Sequence, residues 1–356
     1  EVKMVYPFNS DHEMIREALS GFLQDWYENG KGPERIYKSG KAFDREAWSG
    51  FSHDLGMVGV AISEDFGGSG LGDLGRVVVM EELGSSLCAI PFLTTGGQVV
   101  DIISKIATNQ FKKEYLPKIA RGEIQGVFSS GHVGKEKKCI NSPNADTADF
   151  ILISRLNGKL IEVVYLDASA PGLKINSKKT MDPTRSFCDV DWSQVSDTDF
   201  LLIGTVELDF FEDIISQSQI SLAAECIGGA QKCLDMTLEY ASQRVQFGRS
   251  IASFQAIKHR CADMFVLIEA ARSAVYAAAV ATDSEKTEAV LIAKANATEA
   301  YFKVAGDAIQ LHGGIGFTWE YPLHLFFKRA RANRTMFGVP SEDYKLLADS
   351  ILGDKS

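Results

Sequence analysis

Three apolar stripes at helical spacing constrain this chain more than any other feature. Ile220, Ala223, Ala224, Ile227, Leu234, Leu238 and Val245 trace the first. Ile257, Cys261, Met264, Ile268, Ala271 and Val275 trace the second. Val290, Ala293, Ala297, Tyr301, Val304, Ala308 and Leu311 trace the third, which stops at Gly313-Gly314. Residues recurring at i, i+3, i+4 and i+7 share one helix face and must bury it. Small residues such as Ala271, Ala274 and Ala277–Ala279 allow close approach. Long antiparallel helices of this kind predict a four-helix bundle.

The first third also reads as helical. Ile15, Leu19, Phe22, Leu23 and Trp26 follow the helical period, with Ser10 or Asp11 as the expected cap. Further helices are expected over Arg45–Leu55, over Val77–Leu83 ending at Gly84, and over Gln110–Ala120, kinked at Pro117 and ending at Gly122. Between the helical regions the texture becomes β-branched. Phe150–Ser154 and Lys159–Leu166 read as strands joined at Asn157-Gly158, with further strands over Phe187–Val190 and Asp199–Ile203. The expected fold class is mainly α with a small β domain. Its expected parts are an N-terminal helical domain (1–122), a middle β domain (123–208) and a C-terminal helical bundle (209–356).

Composition narrows the function. A net charge of -10 argues against nucleic acid as a partner. The cluster Lys135–Lys138, with Glu136 inside it, reads as a solvated loop. None of the six cysteines forms a CxxC pair, and Cys226, Cys233 and Cys261 fall within helical apolar patterns. That usage fits free buried thiols in a reducing compartment: cytoplasmic in a bacterium, the mitochondrial matrix in a eukaryote. No apolar run reaches a membrane span, Glu1–Phe8 lacks a secretory signal pattern, and no metal-binding spacing occurs.

Several motifs then occur in order. They are Gly56-Met57-Val58-Gly59, Ser63-Glu64-Asp65-Phe66-Gly67-Gly68-Ser69-Gly70 and Glu81-Glu82-Leu83-Gly84. Gln243-Arg244-Val245-Gln246-Phe247-Gly248 follows with Ser253-Phe254-Gln255, and then Gln310-Leu311-His312-Gly313-Gly314-Ile315-Gly316-Phe317 with Glu320-Tyr321-Pro322. Each is weak alone. Together, across nearly the whole chain, they resemble the acyl-CoA dehydrogenase family. The resemblance implies α,β-desaturation of an acyl-CoA by FAD, with a glutamate taking the α proton. It also implies a flavin shared between subunits: one subunit's β domain holds the ring, and the neighbour's C-terminal bundle holds the pyrophosphate and adenosine.

The second half of that site is present. Arg244 offers a planar cationic fork suited to a pyrophosphate, and Phe247 offers an apolar face. Gln255 and Gln310 stand at the family's positions, and Gln310 can both donate and accept hydrogen bonds. Gly313 and Gly314 remove side chains where backbone approaches a phosphate or ribose, and equally suit a helix C-cap. The expected cofactor residues are therefore Arg244, Phe247, Gln255, Gln310, Gly313 and Gly314.

The other half departs from the family. The β domain opens with Val127-Phe128-Ser129-Ser130-Gly131-His132 in place of Thr-Glu-Pro and Gly-Ser-Asp. Lys137-Lys138-Cys139-Ile140-Asn141 leads almost directly to Ala148-Asp149-Phe150, which implies a deleted hairpin beside the flavin ring. The two positions where the family carries its base fall on Phe337 and on Ser218, the latter followed by Gln219. Two carboxylates remain. Glu225 lies on an apolar helix face, where it would be desolvated or paired across helices; Glu342 would act as a base or cap the last helix. His312 and His324 lie near the implied site and receive no role, so no catalytic residue is assigned.

The resemblance to heteromeric bacterial members, some acting on steroid-derived CoA thioesters, implies a subunit of a flavoprotein oxidoreductase in lipid metabolism. This chain would give the adenosine half to a homologous catalytic subunit in an α2β2 heterotetramer. An electron-transfer flavoprotein is the implied electron acceptor. The alternatives are a non-catalytic scaffold paralogue and a self-sufficient homotetramer with a relocated base.

Overall fold

The computed structural model describes residues 8–33, 35, 42–131 and 137–353. His132, Lys135 and Glu136 of the sequence reading lie outside the described residues, as does Glu1–Pro7. Helix α1 (Ser10–Trp26) is capped by Asn9, whose side chain accepts from the amides of Asp11 and His12. The cap thus lies one residue before the expected Ser10 or Asp11, because Asn9 is the residue with extended backbone. Helix α2 (Arg45–Ser49) continues into a wide π turn over Gly50–Asp54.

Helix α3 runs Gly72–Ser86, straight through Gly84. The expectation that Gly84 ends it fails for a packing reason. A Cβ there would lie 2.1 Å from the carbonyl oxygen of Glu225, so this glycine serves a helix crossing rather than a stop. A wide-turn segment, Leu93–Val99, and helix α4 (Val100–Ile106) were not foreseen. The whole of Leu93–Val99 is buried. Helix α5 (Asn109–Ala120) continues through Pro117, and Gly122 follows with a φ of 67°.

The β region forms two sheets. Strands β1 (Gly126–Ser130), β3 (Phe150–Asn157), β4 (Leu160–Asp167) and β7 (Leu201–Glu207) make one, in the order β1-β3-β4-β7. Strands β2 (Lys138–Pro143), β6 (Phe187–Asp191) and β5 (Lys174–Lys178) make the other, in the order β2-β6-β5. β1 lies parallel to β3, with Val127 opposite Ile151, and the β3–β4 hairpin pairs Asn157 with Leu160. The two turn residues are therefore Gly158 and Lys159, one position later than expected. Gly158 supplies the positive φ of 65° at the first of them. Lys137–Asn141 is not a bare link, since from Lys138 onward it forms β2 against β6, with a register shift between Cys139 and Ser142. Val127, Ile151, Ile153, Leu166, Val190 and Trp192 pack in the core of this region.

The remainder is helical: α6 (Leu208–Ser218), α7 (Ile220–Gln243), α8 (Gln255–Ala279), α9 (Asp283–His312), α10 (Leu323–Asn333) and α11 (Pro340–Leu352). By packing, the chain falls into two units. One comprises Glu1–Arg35, Val77–Cys88 and Gln219–Ser356; the other comprises Ile36–Arg76 and Ala89–Ser218.

In the first unit, α3 crosses α7 at paired glycines. Gly84 faces the Glu225 carbonyl, and a Cβ on Gly228 would lie 1.7 Å from the carbonyl oxygen of Glu81. Glu81 also gathers Arg16, Arg272 and the Tyr276 hydroxyl at 3.3, 3.0 and 2.6 Å, which ties α1, α3 and α8 together. In the second unit, Arg76 forms a buried fork with Asp101 at 2.6 and 2.5 Å. Among the described residues, no helix is long and apolar enough to cross a membrane, and no cluster of three metal-ligating side chains occurs.

Candidate functional site

Helices α7 and α9 run parallel. Gly229 of α7 abuts Tyr301 of α9, and the same distance further along both, Tyr240 stacks on His312 with ring centroids 4.3 Å apart. α8 returns antiparallel to them, and Arg260 near its start pairs with Asp307 near the end of α9 at 3.3 Å. One end of this helical unit therefore collects the end of α7, the start of α8 and the end of α9. Arg244 is the C-cap of α7, Gln255 the first residue of α8, Gln310 lies in the last turn of α9, and Gly313-Gly314 follow it. All six expected cofactor residues lie at this end, and all six are exposed.

Two of them are not explained by the packing of this chain. Phe247 and Gly248 are the turn of a short hairpin, β8 (Val245–Gln246) and β9 (Arg249–Ser250), with φ of 54° and 77°. That turn favours Asn-Gly, whereas a bulky aromatic is strained in a left-handed conformation. Phe247 is nonetheless 92% exposed, so its ring is placed to meet something outside the chain. Gly313 needs its φ of 64° to end α9. Gly314 has no such conformation, and nothing lies within 4 Å of where its Cβ would be. Neither backbone nor neighbour demands glycine there, so the missing side chain leaves room for an outside group. The residues present thus fit an anionic, partly aromatic ligand: a cation at Arg244, an aromatic face at Phe247 and open backbone at Gly314.

Replacing Phe247 with asparagine is expected to stabilise the free chain by about 1 kcal/mol, because asparagine tolerates the left-handed conformation. The same change should lower flavin retention in the assembled enzyme. Calorimetry and flavin absorbance read the two effects separately. A fall in melting temperature would instead show that the ring is held by this chain.

The two positions at which the resemblance places a base hold no acid. Ser218 is buried and its hydroxyl donates to the Ile215 carbonyl at 2.7 Å. Phe337 sits at a φ of 59°, and its carbonyl accepts from the Lys294 ammonium at 2.6 Å. Lys294 also pairs with Asp343 at 3.0 Å, and both are buried. Burial pushes the lysine down and the aspartate up, while each partner opposes the shift of the other. The pair therefore orders the Phe337 turn without adding much stability. Lys294→Met alone should lower the melting temperature by stranding Asp343, whereas Lys294→Met with Asp343→Leu should leave it unchanged or raise it.

Neither remaining carboxylate is free to act as a base. Glu225 is 3% exposed and accepts from Arg329 at 2.5 Å and Asn333 at 3.1 Å. Of the two readings open from sequence, the structure shows pairing across helices, in a buried ion pair with Arg329. Glu342 accepts from the Val339 amide at 3.0 Å, capping α11. His324 is held down to about 4 by burial, with nearby Lys328 adding to the effect. The sequence reading missed Lys294, Arg329 and Asn333, because charged residues within helices read as solvent-facing until their neighbours are known.

In the β region, Val127, Phe128 and Ser129 of β1 are buried. The Ser129 hydroxyl meets that of Ser142 on β2 at 3.0 Å. The stretch that departs from the family pattern is thus packed against its own second strand.

Known proteins resemble this chain over most of its length. The acyl-CoA dehydrogenase N-terminal domain profile matches residues 9–123, and the C-terminal domain profile matches residues 209–350. Acyl-CoA dehydrogenase IpdE2 of Mycolicibacterium smegmatis is 32% identical over 349 residues, covering 96% of this chain and 99% of that protein. Many solved structures share the fold, two of which illustrate it. One is the ChsE4-ChsE5 complex from Mycobacterium tuberculosis, with a TM-score of 0.86 at 22% identity over 99% of this chain and 100% of that chain. The other is a variant of the Tcur3481-Tcur3483 steroid ACAD, with a TM-score of 0.82 at 24% identity over 96% of this chain and 99% of that one. With a relative this similar matched from end to end, the chain belongs to the acyl-CoA dehydrogenase family.

Proposed function

We propose that this chain is the adenosine-side subunit of a heteromeric acyl-CoA dehydrogenase. The observation that carries the reading is the exposure of Arg244, Phe247, Gln255, Gln310, Gly313 and Gly314 together at one end of the helical unit. Arg244 would hold the pyrophosphate, Gln310 and the Gly313-Gly314 backbone the adjoining phosphate or ribose, and Phe247 an apolar face of the cofactor. Gln255 would add a polar contact from the start of α8. FAD, when bound, supplies the hydride acceptor for α,β-desaturation. The proton acceptor and the flavin-ring pocket come from a homologous partner, since Phe337 and Ser218 stand at the base positions and Glu225 is consumed by Arg329.

The assembly we infer is an α2β2 tetramer acting on an acyl-CoA and passing electrons to an electron-transfer flavoprotein. A steroid-derived acyl group is the substrate class we favour. Its support is the fold shared with an enzyme described as a steroid ACAD. The cytoplasm is the chain's proposed compartment in a bacterium.

The test is flavin stoichiometry by absorbance, on the chain alone and after co-expression with a catalytic homologue. No flavin alone and about half an equivalent per chain in the mixed tetramer is the expected result, and Arg244→Met should reduce the latter about tenfold or more. One flavin per chain in the isolated protein would overturn the reading.

A further inference from the structure

Beneath the exposed end lies a buried group whose role neither the proposed function nor the ion pairs explain. His312, the last residue of α9, is 3% exposed. Its Nδ1 donates to the Ala308 carbonyl at 2.8 Å, one turn back on its own helix. The Met236 carbonyl of α7 also faces the ring. Tyr240 of α7 stacks on one side, with centroids 4.3 Å apart and planes 21° from parallel. Tyr321, beyond the glycine turn, stands 4.9 Å away. Burial lowers the pKa of the imidazole, the two carbonyls opposing, so the ring is neutral near pH 7.

The two segments that this ring joins carry the proposed cofactor contacts. The Tyr240 carbonyl accepts from the Arg244 amide at 2.8 Å, so the ring stacked on His312 belongs to the turn that caps α7 and places Arg244. On the other side, His312 is bonded directly to Gly313, and a Cβ on Gly316 would lie 3.2 Å from the Cβ of His312. The arginine and the glycine turn come from different helices, far apart in sequence, and must meet one ligand at a fixed separation. The three-ring cluster of Tyr240, His312 and Tyr321, in which the two tyrosine centroids also lie 6.5 Å from each other, is the rigid contact that sets it.

We propose that His312 is a positioning residue for the adenosine half-site, locking the arginine end of α7 to the glycine turn after α9. This rests on the half-site reading, and the experiment separates the two. The probe is ADP, which carries the adenosine and pyrophosphate of the cofactor, titrated into the full chain by NMR. Arg244→Met tests the half-site and should weaken ADP at least about tenfold. His312→Leu and Tyr240→Leu should each weaken it about tenfold, and the double variant no further, because both break one coupling. His312→Phe, which keeps volume and stacking, should recover affinity to within about threefold of the parent.

If the wild-type chain binds no ADP, or Arg244→Met leaves the affinity unchanged, the half-site reading fails and this inference with it. If Arg244→Met weakens ADP but the two leucine variants do not, or their effects multiply to about a hundredfold in the double variant, His312 is structural only. Melting temperatures measured alongside keep folding losses apart from affinity: a variant that melts lower yet binds ADP normally also counts against the proposal.

Discussion

Replacing Glu225 with leucine is expected to destabilise the chain by about 3–5 kcal/mol, the usual penalty for removing one partner of a buried ion pair. Arg329 is 2% exposed and would lose its carboxylate partner, and the Asn333 amide would lose its carboxylate acceptor as well, keeping the Cys226 sulfur at 3.5 Å. Glu225→Gln keeps the shape and one acceptor oxygen, so it should cost less while still lowering the melting temperature. Turnover per folded enzyme, measured in the assembled protein, should then be unchanged. A relocated base would give the opposite pattern, with normal melting and turnover lost. Glu225 is thus the residue whose substitution separates a self-sufficient enzyme from one that borrows its base.

Gly228→Ala should be the most damaging of the small-residue changes, at about 3 kcal/mol or more. The obstacle is not a flexible side chain but the carbonyl oxygen of Glu81, 1.7 Å from where the new methyl carbon would sit. Relief requires α3 and α7 to separate. That separation would disturb Glu81, which holds Arg16, Arg272 and Tyr276. Gly84→Ala should behave alike, since its methyl would meet the Glu225 carbonyl at 2.1 Å. Gly314→Ala is the control: open space around it predicts almost no change in melting temperature and a loss of cofactor affinity. Thermal melts of the three variants decide the point, and equal losses at all three would refute the assignment of Gly314 to an outside group.

Much of this protein was legible in its sequence, for reasons that are local. A repeating apolar face must be buried whatever it meets, so the stripes ending near Gln243, Ala279 and His312 revealed their helices. Gly158 sits in a two-residue turn because the conformation there excludes most side chains. The ordered motifs marked Arg244, Phe247 and Gln310, and the absence of an acid at Phe337 and Ser218 needed no coordinates at all. What the sequence could not decide depends on partners distant along the chain. Gly84 reads as a stop until Glu225 is seen across from it. Lys294 reads as a surface lysine until Asp343 and the Phe337 carbonyl close around it. Leu93–Val99 gave no helical signal because Thr-Thr-Gly-Gly has little helical propensity, and burial outweighs that preference. Periodicity thus determined the elements, while the resemblance carried by the ordered motifs implied the family and the missing base. Only the tertiary structure decided which charges are paired, which glycines are contacts, and that six residues spread from Arg244 to Gly314 share one exposed end, because those facts are set by which helices pack side by side.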